Sequence, residues 1–316
     1  MTQIGVIGAG GWGINHVRTY NQLTDCTRLM VSDLFEKNLE KVKEINPEIS
    51  VRTKAEELIN DESLEGIVIA TTSDSHYPLA KDALLKGKNV FVEKPLCLDL
   101  DQAKDLIKIA EEKNLVLMVG HLLLYHPAVT WIKNYIKSGE LGDLYTISSQ
   151  RLNLGKVRTT ENAFWSLAPH DVSIMMHLVD SNIKKSSGIG GDFINKGIED
   201  TFFFSLEFEN GVIGNGHVSW LDPNKTRQFT IVGSRRMIVF DDMSKNEKVK
   251  VFEKRVGEGL SLIDEGYFVP ELDKTEPLKL ECQHFIDCIK NKTQPLTDGK
   301  NGLDVTKVML EISPLK

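Results

Sequence analysis

Six residues near the start of the chain, Gly8-Ala9-Gly10-Gly11-Trp12-Gly13, carry the clearest chemistry in the sequence. They spell G-x-G-x-x-G after an apolar run and before a segment in which Ile14, Val17 and Tyr20 recur at helical spacing. In that setting Gly8 permits a tight turn, Gly10 lets the backbone approach a pyrophosphate, and Gly13 lets helix and strand pack closely. The anion would rest on the free N–H groups of the helix start, with Gly11 and Trp12 inside the binding turn. Asp33 closes the second apolar run, where a carboxylate accepts hydrogen bonds from the adenosine ribose and repels a 2′-phosphate. Motif and spacing predict a dinucleotide site whose cofactor is NAD rather than NADP. The competing reading is a glycine turn followed by a solvated aspartate, and the competing dinucleotide is a flavin.

Other chemistries lack their residues. His121 and His126 are five apart, His170 and His177 seven apart, and no HExxH-type pair with a carboxylate appears, so no catalytic metal is expected. No G-x-S-x-G elbow supports acyl transfer.

A turn of this kind needs a parallel sheet behind it. Gln3–Ile7, Arg28–Asp33, Gly66–Ala70, Asn89–Val92 and Val116–Val119 are short and apolar, as strands buried on both faces should be. Between them, Phe35, Leu39, Val42 and Ile45 recur at helical spacing, as do Ala103, Leu106, Ile107 and Ala110 after a capping-box-like Asp99-x-x-Gln102. This alternation predicts an α/β Rossmann domain with a parallel sheet over residues 1–121.

After His121 the pattern changes. One helix is expected at Ala128–Lys137, then strands at Tyr145–Leu152, Thr201–Phe208, Val212–Trp220, Phe229–Val232, Met237–Asp241 and Lys248–Phe252. Turn signals such as Glu209-Asn210-Gly211 favour antiparallel pairing, so residues 122–316 are expected to form an α+β C-terminal domain with a mostly antiparallel sheet, for substrate binding and oligomerisation. Two amphipathic helices close the chain, on Leu278/Cys282/Phe285/Ile286/Ile289 and Val305/Val308/Met309/Ile312.

Whole-chain properties agree with a two-domain globular protein. The chain has 316 residues, 41% hydrophobic and 26% charged, which suffices for full cores. A formal net charge of -7 argues against nucleic-acid or anionic-membrane partners. The longest apolar runs fall far below the ~20 residues that span a bilayer, and no signal-peptide pattern opens the chain. Four cysteines without CxxC spacing fit a reduced, cytoplasmic setting. Phe202, Phe204, Leu206 and Phe208, read against Phe203 between them, suggest an apolar outer sheet face and hence a homodimer or homotetramer.

Further segments resemble the Gfo/Idh/MocA oxidoreductases. They are Ala70-Thr71-Thr72-x-x-x-His76 at the end of the Gly66–Ala70 strand, Glu93-Lys94-Pro95 after Asn89–Val92, and Gly120-His121 through Pro127 after Val116–Val119. The resemblance covers essentially the whole chain, with Glu-Lys-Pro its most specific feature. It implies a Rossmann domain with an open-faced sheet domain, and hydride transfer between NAD(P) and a sugar, cyclitol or nucleotide sugar. It also implies catalysis by Lys94 and a cis peptide before Pro95. The lysine's position makes physical sense, because a cation at the C-terminal end of a parallel strand can hold a substrate hydroxyl and stabilise negative charge on its oxygen. An exposed lysine in a solvated turn is the alternative. Thr71, Thr72, Glu93 and Lys94 itself join the expected cofactor contacts, the threonines competing with ordinary strand ends. His76 either lines the nicotinamide pocket or serves polar groups at a helix start.

Asn162 through Asp171 falls where the family usually carries Asp-x-x-x-His. His170 matches the family histidine, the expected proton acceptor, and Ser166 replaces the usual aspartate. Asp171 cannot simply take over, since adjacent helical side chains diverge by about 100°. Arg151, Asn153, Lys156 and Arg158 suit a substrate carboxylate or pyrophosphate, or form a solvated strand edge. Trp165 and Phe164 either stack on a sugar or base ring or belong to the core. Arg151-Leu152-Asn153-Leu154-Gly155 followed by Trp165 through Asp171 resembles the members associated with UDP-N-acetylglucosamine or its uronic acid, oxidised at the 3-hydroxyl. A free-sugar or inositol dehydrogenase and a nucleotide keto-sugar reductase remain alternatives. So does a dinucleotide-sensing regulator, against which the retained Lys94 and His170 argue.

Overall fold

The glycine-rich turn joins β1 (Thr2–Ile7) to α1 (Gly13–Gln22). The chain continues through β2 (Cys26–Ser32), α2 (Glu36–Ile45), β3 (Ser50–Arg52), α3 (Ala55–Ile59), β4 (Gly66–Ile69), α4 (His76–Leu85), β5 (Asn89–Glu93), α5 (Leu100–Lys113) and β6 (Leu117–Gly120). This computed structural model describes residues 2–314. The six strands form one parallel sheet in the order β3-β2-β1-β4-β5-β6, the doubly wound arrangement. Chain direction across the sheet reverses between β1 and β4, so the turn after β1 and Thr71-Thr72 after β4 flank the switch point where ligands of such sheets bind.

Strand alternation sends side chains to both faces, and both are covered. Ile4, Val6, Val31, Val68, Phe91 and Met118 lie in one cluster with Val17 and Tyr20 of α1. Ile7, Met30, Ile67, Ile69, Val90 and Val92 lie in the other, with Ala80 and Leu84 of α4 and Leu106 of α5. The N-cap half of the capping-box reading is present at α5, where Asp99 Oδ1 accepts from the backbone N–H groups of Asp101 and Gln102, each at 2.9 Å. The short strand β3 went unread because Ser-Val-Arg offers one apolar residue and sits at the sheet edge.

The second stretch runs through α6 (Pro127–Lys137), β7 (Leu144–Leu152), α7 (Ala163–Val179), β8 (Ile183–Gly191), β9 (Thr201–Phe208), β10 (Ile213–Ser219), β11 (Thr226–Gly233), β12 (Met237–Asp241), β13 (Val249–Val256) and β14 (Leu262–Phe268). Its eight-stranded sheet has the order β14-β13-β12-β11-β7-β10-β9-β8. β7 and β10 pair in parallel and the other neighbours are antiparallel. The sequence pattern missed β8 and β14, the two edge strands, because mostly exposed residues leave no apolar alternation to read. The four residues expected on the outer face are a correction: Phe202, Phe204, Leu206 and Phe208 are buried, with Phe164 of α7 packed on Phe202 and Phe204 at ring distances of 4.7 and 5.5 Å. Phe203 faces out, half-exposed and stacked on His217 at 4.0 Å.

The chain ends with α8 (Pro277–Asn291) and α9 (Gly299–Ile312). Contacts group Met1–Tyr125 with Thr275–Lys307, and His126–Lys274 with Val308–Lys316. A boundary at 121/122 with everything later in a second domain therefore needs correcting for α8. Its apolar stripe of Leu278, Cys282, Phe285 and Ile286 completes the cluster around Ile4 and Phe91, and Phe285 meets Phe91 at 5.7 Å. Among the described residues no helix is long and apolar enough to cross a membrane.

Candidate active site

At the turn after β1, Gly8 adopts φ +92°, a conformation side chains resist, and a Cβ there would lie 2.7 Å from the Ala70 carbonyl oxygen. A Cβ on Gly13 would overlap the Gly8 carbonyl, whereas Gly10 and Gly11 face open space. No side-chain cap occupies the start of α1. The turn is thus tight at both ends and leaves bare backbone at its middle, the form an anionic pyrophosphate requires.

Asp33 is tied to this turn. Its Oδ2 accepts from the Ala9 N–H at 2.7 Å, while Oδ1 accepts from the Phe35 N–H at 2.8 Å and the Asn38 amide at 3.1 Å. A carboxylate offers about four acceptor sites. These three donors leave Oδ2 with room for a ribose hydroxyl, and the residues present fit NAD.

Lys94 follows β5 directly and is half-buried, with a cis peptide to Pro95. Glu93 does not simply face the cofactor. Its Oε1 accepts from the Trp12 indole N–H at 2.6 Å and lies 2.6 Å from His16 Nε2, and its Oε2 accepts from the Lys94 backbone N–H at 3.2 Å. Burial alone would push this carboxyl up, but His16, Trp12 and the charge of Lys94 outweigh it and hold the pKa below the usual range. A Cβ on Gly120 would come within 2.8 Å of Oε2, which explains the glycine before His121.

His76 is buried at the start of α4, with Nδ1 2.7 Å from the Pro95 carbonyl and Nε2 3.3 Å from that of Thr71. Burial lowers its pKa against the pull of these carbonyls. The neutral ring then has one N–H, which the shorter contact takes. His76 braces the Lys94–Pro95 turn through the backbone. Thr71 Oγ1 bonds the Ser75 hydroxyl at 2.6 Å, and the exposed Thr72 hydroxyl donates to Asp74. Both threonine side chains are engaged locally. His121, buried after β6, is pushed down to about 4 by burial and then by the Lys94 charge, and so is neutral near pH 7.

In the second unit, His170 lies half-buried on α7, one turn after the buried Ser166. Asp171 points elsewhere, as helix geometry requires. Its Oδ1 takes two hydrogen bonds from Arg151, Nε at 2.9 Å and Nη2 at 2.7 Å, and both side chains are buried. Burial pushes Asp171 up despite Arg151 and the further Arg227 charge. Arg151 thus has a buried internal partner in Asp171, and β7 is an interior strand rather than a solvated edge. Asn153 Oδ1 likewise accepts from Arg227 Nη2 at 2.6 Å. Arg158 is exposed and pairs with Glu161 at 2.6 Å. Of the two readings for Trp165, the core one agrees with its burial and with its indole N–H donating to the Ser313 carbonyl at 2.8 Å.

The oxidoreductase family profile with the NAD-binding Rossmann fold matches residues 2–121, and the Gfo/Idh/MocA C-terminal domain profile matches residues 129–239. The chain belongs to the Gfo/Idh/MocA family. It is an NAD-dependent oxidoreductase with that family's two-part fold. It is 24% identical over 312 residues to UDP-N-acetylglucosamine 3-dehydrogenase of Acidithiobacillus ferrooxidans, covering 98% of this chain and 95% of the relative. A structure of that enzyme superposes with a TM-score of 0.84 at 23% identity, over 98% of this chain and 96% of the other. The NAD(+)-dependent scyllo-inositol 2-dehydrogenase of Bacillus subtilis is 25% identical, over 93% of this chain and 88% of the relative. A levoglucosan dehydrogenase in complex with NADH and levoglucosan gives a TM-score of 0.85 at 18% identity, over 98% and 95% of the two chains.

Sequence reasoning missed His16, Asn38 and Arg227. For His16 a signal existed: a lone histidine three positions after Gly13 on the face of α1 that also buries Val17 and Tyr20. A polar ring there must find a buried partner.

Proposed function

We propose that the chain oxidises a ring hydroxyl of a sugar-type substrate with NAD, and that the substrate is a UDP-N-acetylhexosamine or its uronic acid, attacked at the 3-hydroxyl. What carries the reading is the combination, in one unit, of a bare glycine turn tied to Asp33 with a lysine fixed by its backbone at the end of β5. The choice of substrate rests on end-to-end likeness to the UDP-N-acetylglucosamine enzyme.

When bound, NAD supplies the hydride acceptor. Asp33 and the turn hold its adenosine and pyrophosphate. Lys94 directs its ammonium at the substrate oxygen and stabilises the charge that develops there as the proton leaves. His170 takes that proton, since an alcohol carbon releases hydride readily only when its O–H proton also departs. The products are the 3-keto sugar, NADH and one proton.

A screen of UDP-N-acetylhexosamines, their uronic acids, free sugars and inositols with NAD, followed by NADH absorbance, tests this. Turnover confined to inositols or free sugars would replace the nucleotide-sugar assignment, and turnover only of keto-sugars with NADH would reverse the direction. No turnover of any of them, with NAD still bound, would favour a sensor. With the active sugar, Lys94→Ala is expected to bind NAD yet lose about 10²-fold or more in kcat. His170→Ala should also abolish oxidation while retaining NAD. Near-native rates in both variants would refute the roles given to them.

A further inference from the structure

Glu93 joins three parts of the first unit. Trp12 lies on the pyrophosphate turn, His16 on α1, and Lys94 at the end of β5, and all three donate to one carboxylate. Two donors meet Oε1 at 2.6 Å each, the short range of charge-assisted hydrogen bonds. The other oxygen is left for the Lys94 backbone.

The His16 ring is itself held from behind. Phe91 meets it edge-on at 5.1 Å, Tyr20 stacks at 6.3 Å, and Cys282 Sγ lies 3.7 Å from Nδ1. Burial keeps Cys282 a thiol beside Nδ1, and the ionised Glu93 can only accept, so His16 donates to it from Nε2. Trp12 differs in being 44% exposed, so its indole can respond to whatever the turn binds.

We propose that Trp12 and His16 are positioning residues that act through Glu93, coupling the dinucleotide turn to the backbone that aims Lys94. The buried carboxylate keeps one orientation only while both donors stay in place, because losing either leaves charge without its partner in a poorly solvated site. Displacement of the indole as the turn closes on a pyrophosphate is thereby passed, through Oε1 and Oε2, to the Lys94 N–H. Binding of the cofactor and alignment of the lysine become one event. This inference rests on the role given to Lys94 under the proposed function.

Trp12→Phe is the decisive variant, since it removes the indole N–H, keeps an aromatic ring, and changes a position with ample solvent exposure. Glu93→Gln and the double variant complete a cycle. In full-length protein, kcat with the active sugar should fall about tenfold in Trp12→Phe, while the NAD dissociation constant changes by less than about threefold. The double variant should be no worse than Glu93→Gln alone, as expected for residues acting through one group.

A second readout needs no sugar. Without NAD, acylation of Lys94 by a water-soluble amine reagent, read by peptide mass spectrometry, should change by about threefold or more in Trp12→Phe, with exposed Lys37 and Lys113 unchanged. Unchanged kcat and unchanged Lys94 acylation would overturn the proposal, as would additive losses in the cycle or an effect confined to NAD affinity. If no sugar is turned over by the native protein but the acylation change and its non-additivity appear, the coupling stands and only the functional reading falls.

Discussion

Replacing Arg151 with methionine separates its two readings, substrate contact and internal partner. The guanidinium makes two hydrogen bonds of 2.9 and 2.7 Å to Asp171, and the side chains of the two residues are 9% and 1% exposed. Arg151→Met keeps most of the volume but leaves a buried carboxylate without its partner, which costs about 3–5 kcal/mol. At about 2–4 °C per kcal/mol for a unit of this size, even the lower figure predicts a drop of about 6–12 °C in the transition of the second unit. The loss should depend on pH. Burial places the folded-state pKa of Asp171 above its unfolded value, so the folded form holds the extra proton between the two, and stability falls as pH rises through that window. Removing Arg151 lifts the folded value further and extends the window upward. Differential scanning calorimetry should therefore show a smaller deficit at pH 5 than at pH 7.5, and Arg151→Met/Asp171→Leu should recover most of it. A variant with native stability at both pH values and a raised KM would refute the internal-partner reading and restore Arg151 as a substrate contact.

Asp33→Ala should weaken NAD binding by about tenfold or more and narrow the preference over NADP, as loss of hydrogen bonds to a charged group implies; titration with both cofactors measures it. Gly13→Ala forces a methyl into the Gly8 carbonyl and should cost about 1–3 kcal/mol in thermal unfolding, with NAD affinity falling alongside. Trp165→Phe strands the Ser313 carbonyl and should destabilise the second unit by about 1–3 kcal/mol without raising KM; a raised KM with native stability would return Trp165 to the substrate.

How much was legible in the sequence follows from how far each partner lay along the chain. The Gly8–Gly13 turn and the Asp99 cap are local, and the buried strands of the first sheet announce themselves by composition. Glu93 looked like a cofactor contact because its motif neighbour Lys94 did. Its donor His16 lies 77 positions away, and no periodicity links them. Arg151 and Asp171 are 20 apart on a strand and a helix, so each read as an open charge until the fold set one on the other. The outer-face reading of β9 failed for a different reason: alternation tells which residues share a face, but not which face another element covers.

The position of α8 has a consequence for how the protein is made. Cys282 and His16 meet across 266 positions, and Phe285 and Ile286 close an apolar cluster begun by Ile4 and Val6. As the chain leaves the ribosome, its first 125 residues emerge with that face of the sheet bare. Residues 126–274 are synthesised in full before the covering helix arrives. Both units therefore wait for later segments, the dinucleotide-binding unit for Thr275–Lys307 and the second for Val308 onward, where the Ser313 carbonyl accepts from Trp165. A fragment cut after Tyr125 would expose Phe91 and its neighbours and aggregate, whereas joining Thr275–Lys307 to it by a flexible linker should restore a soluble NAD-binding unit.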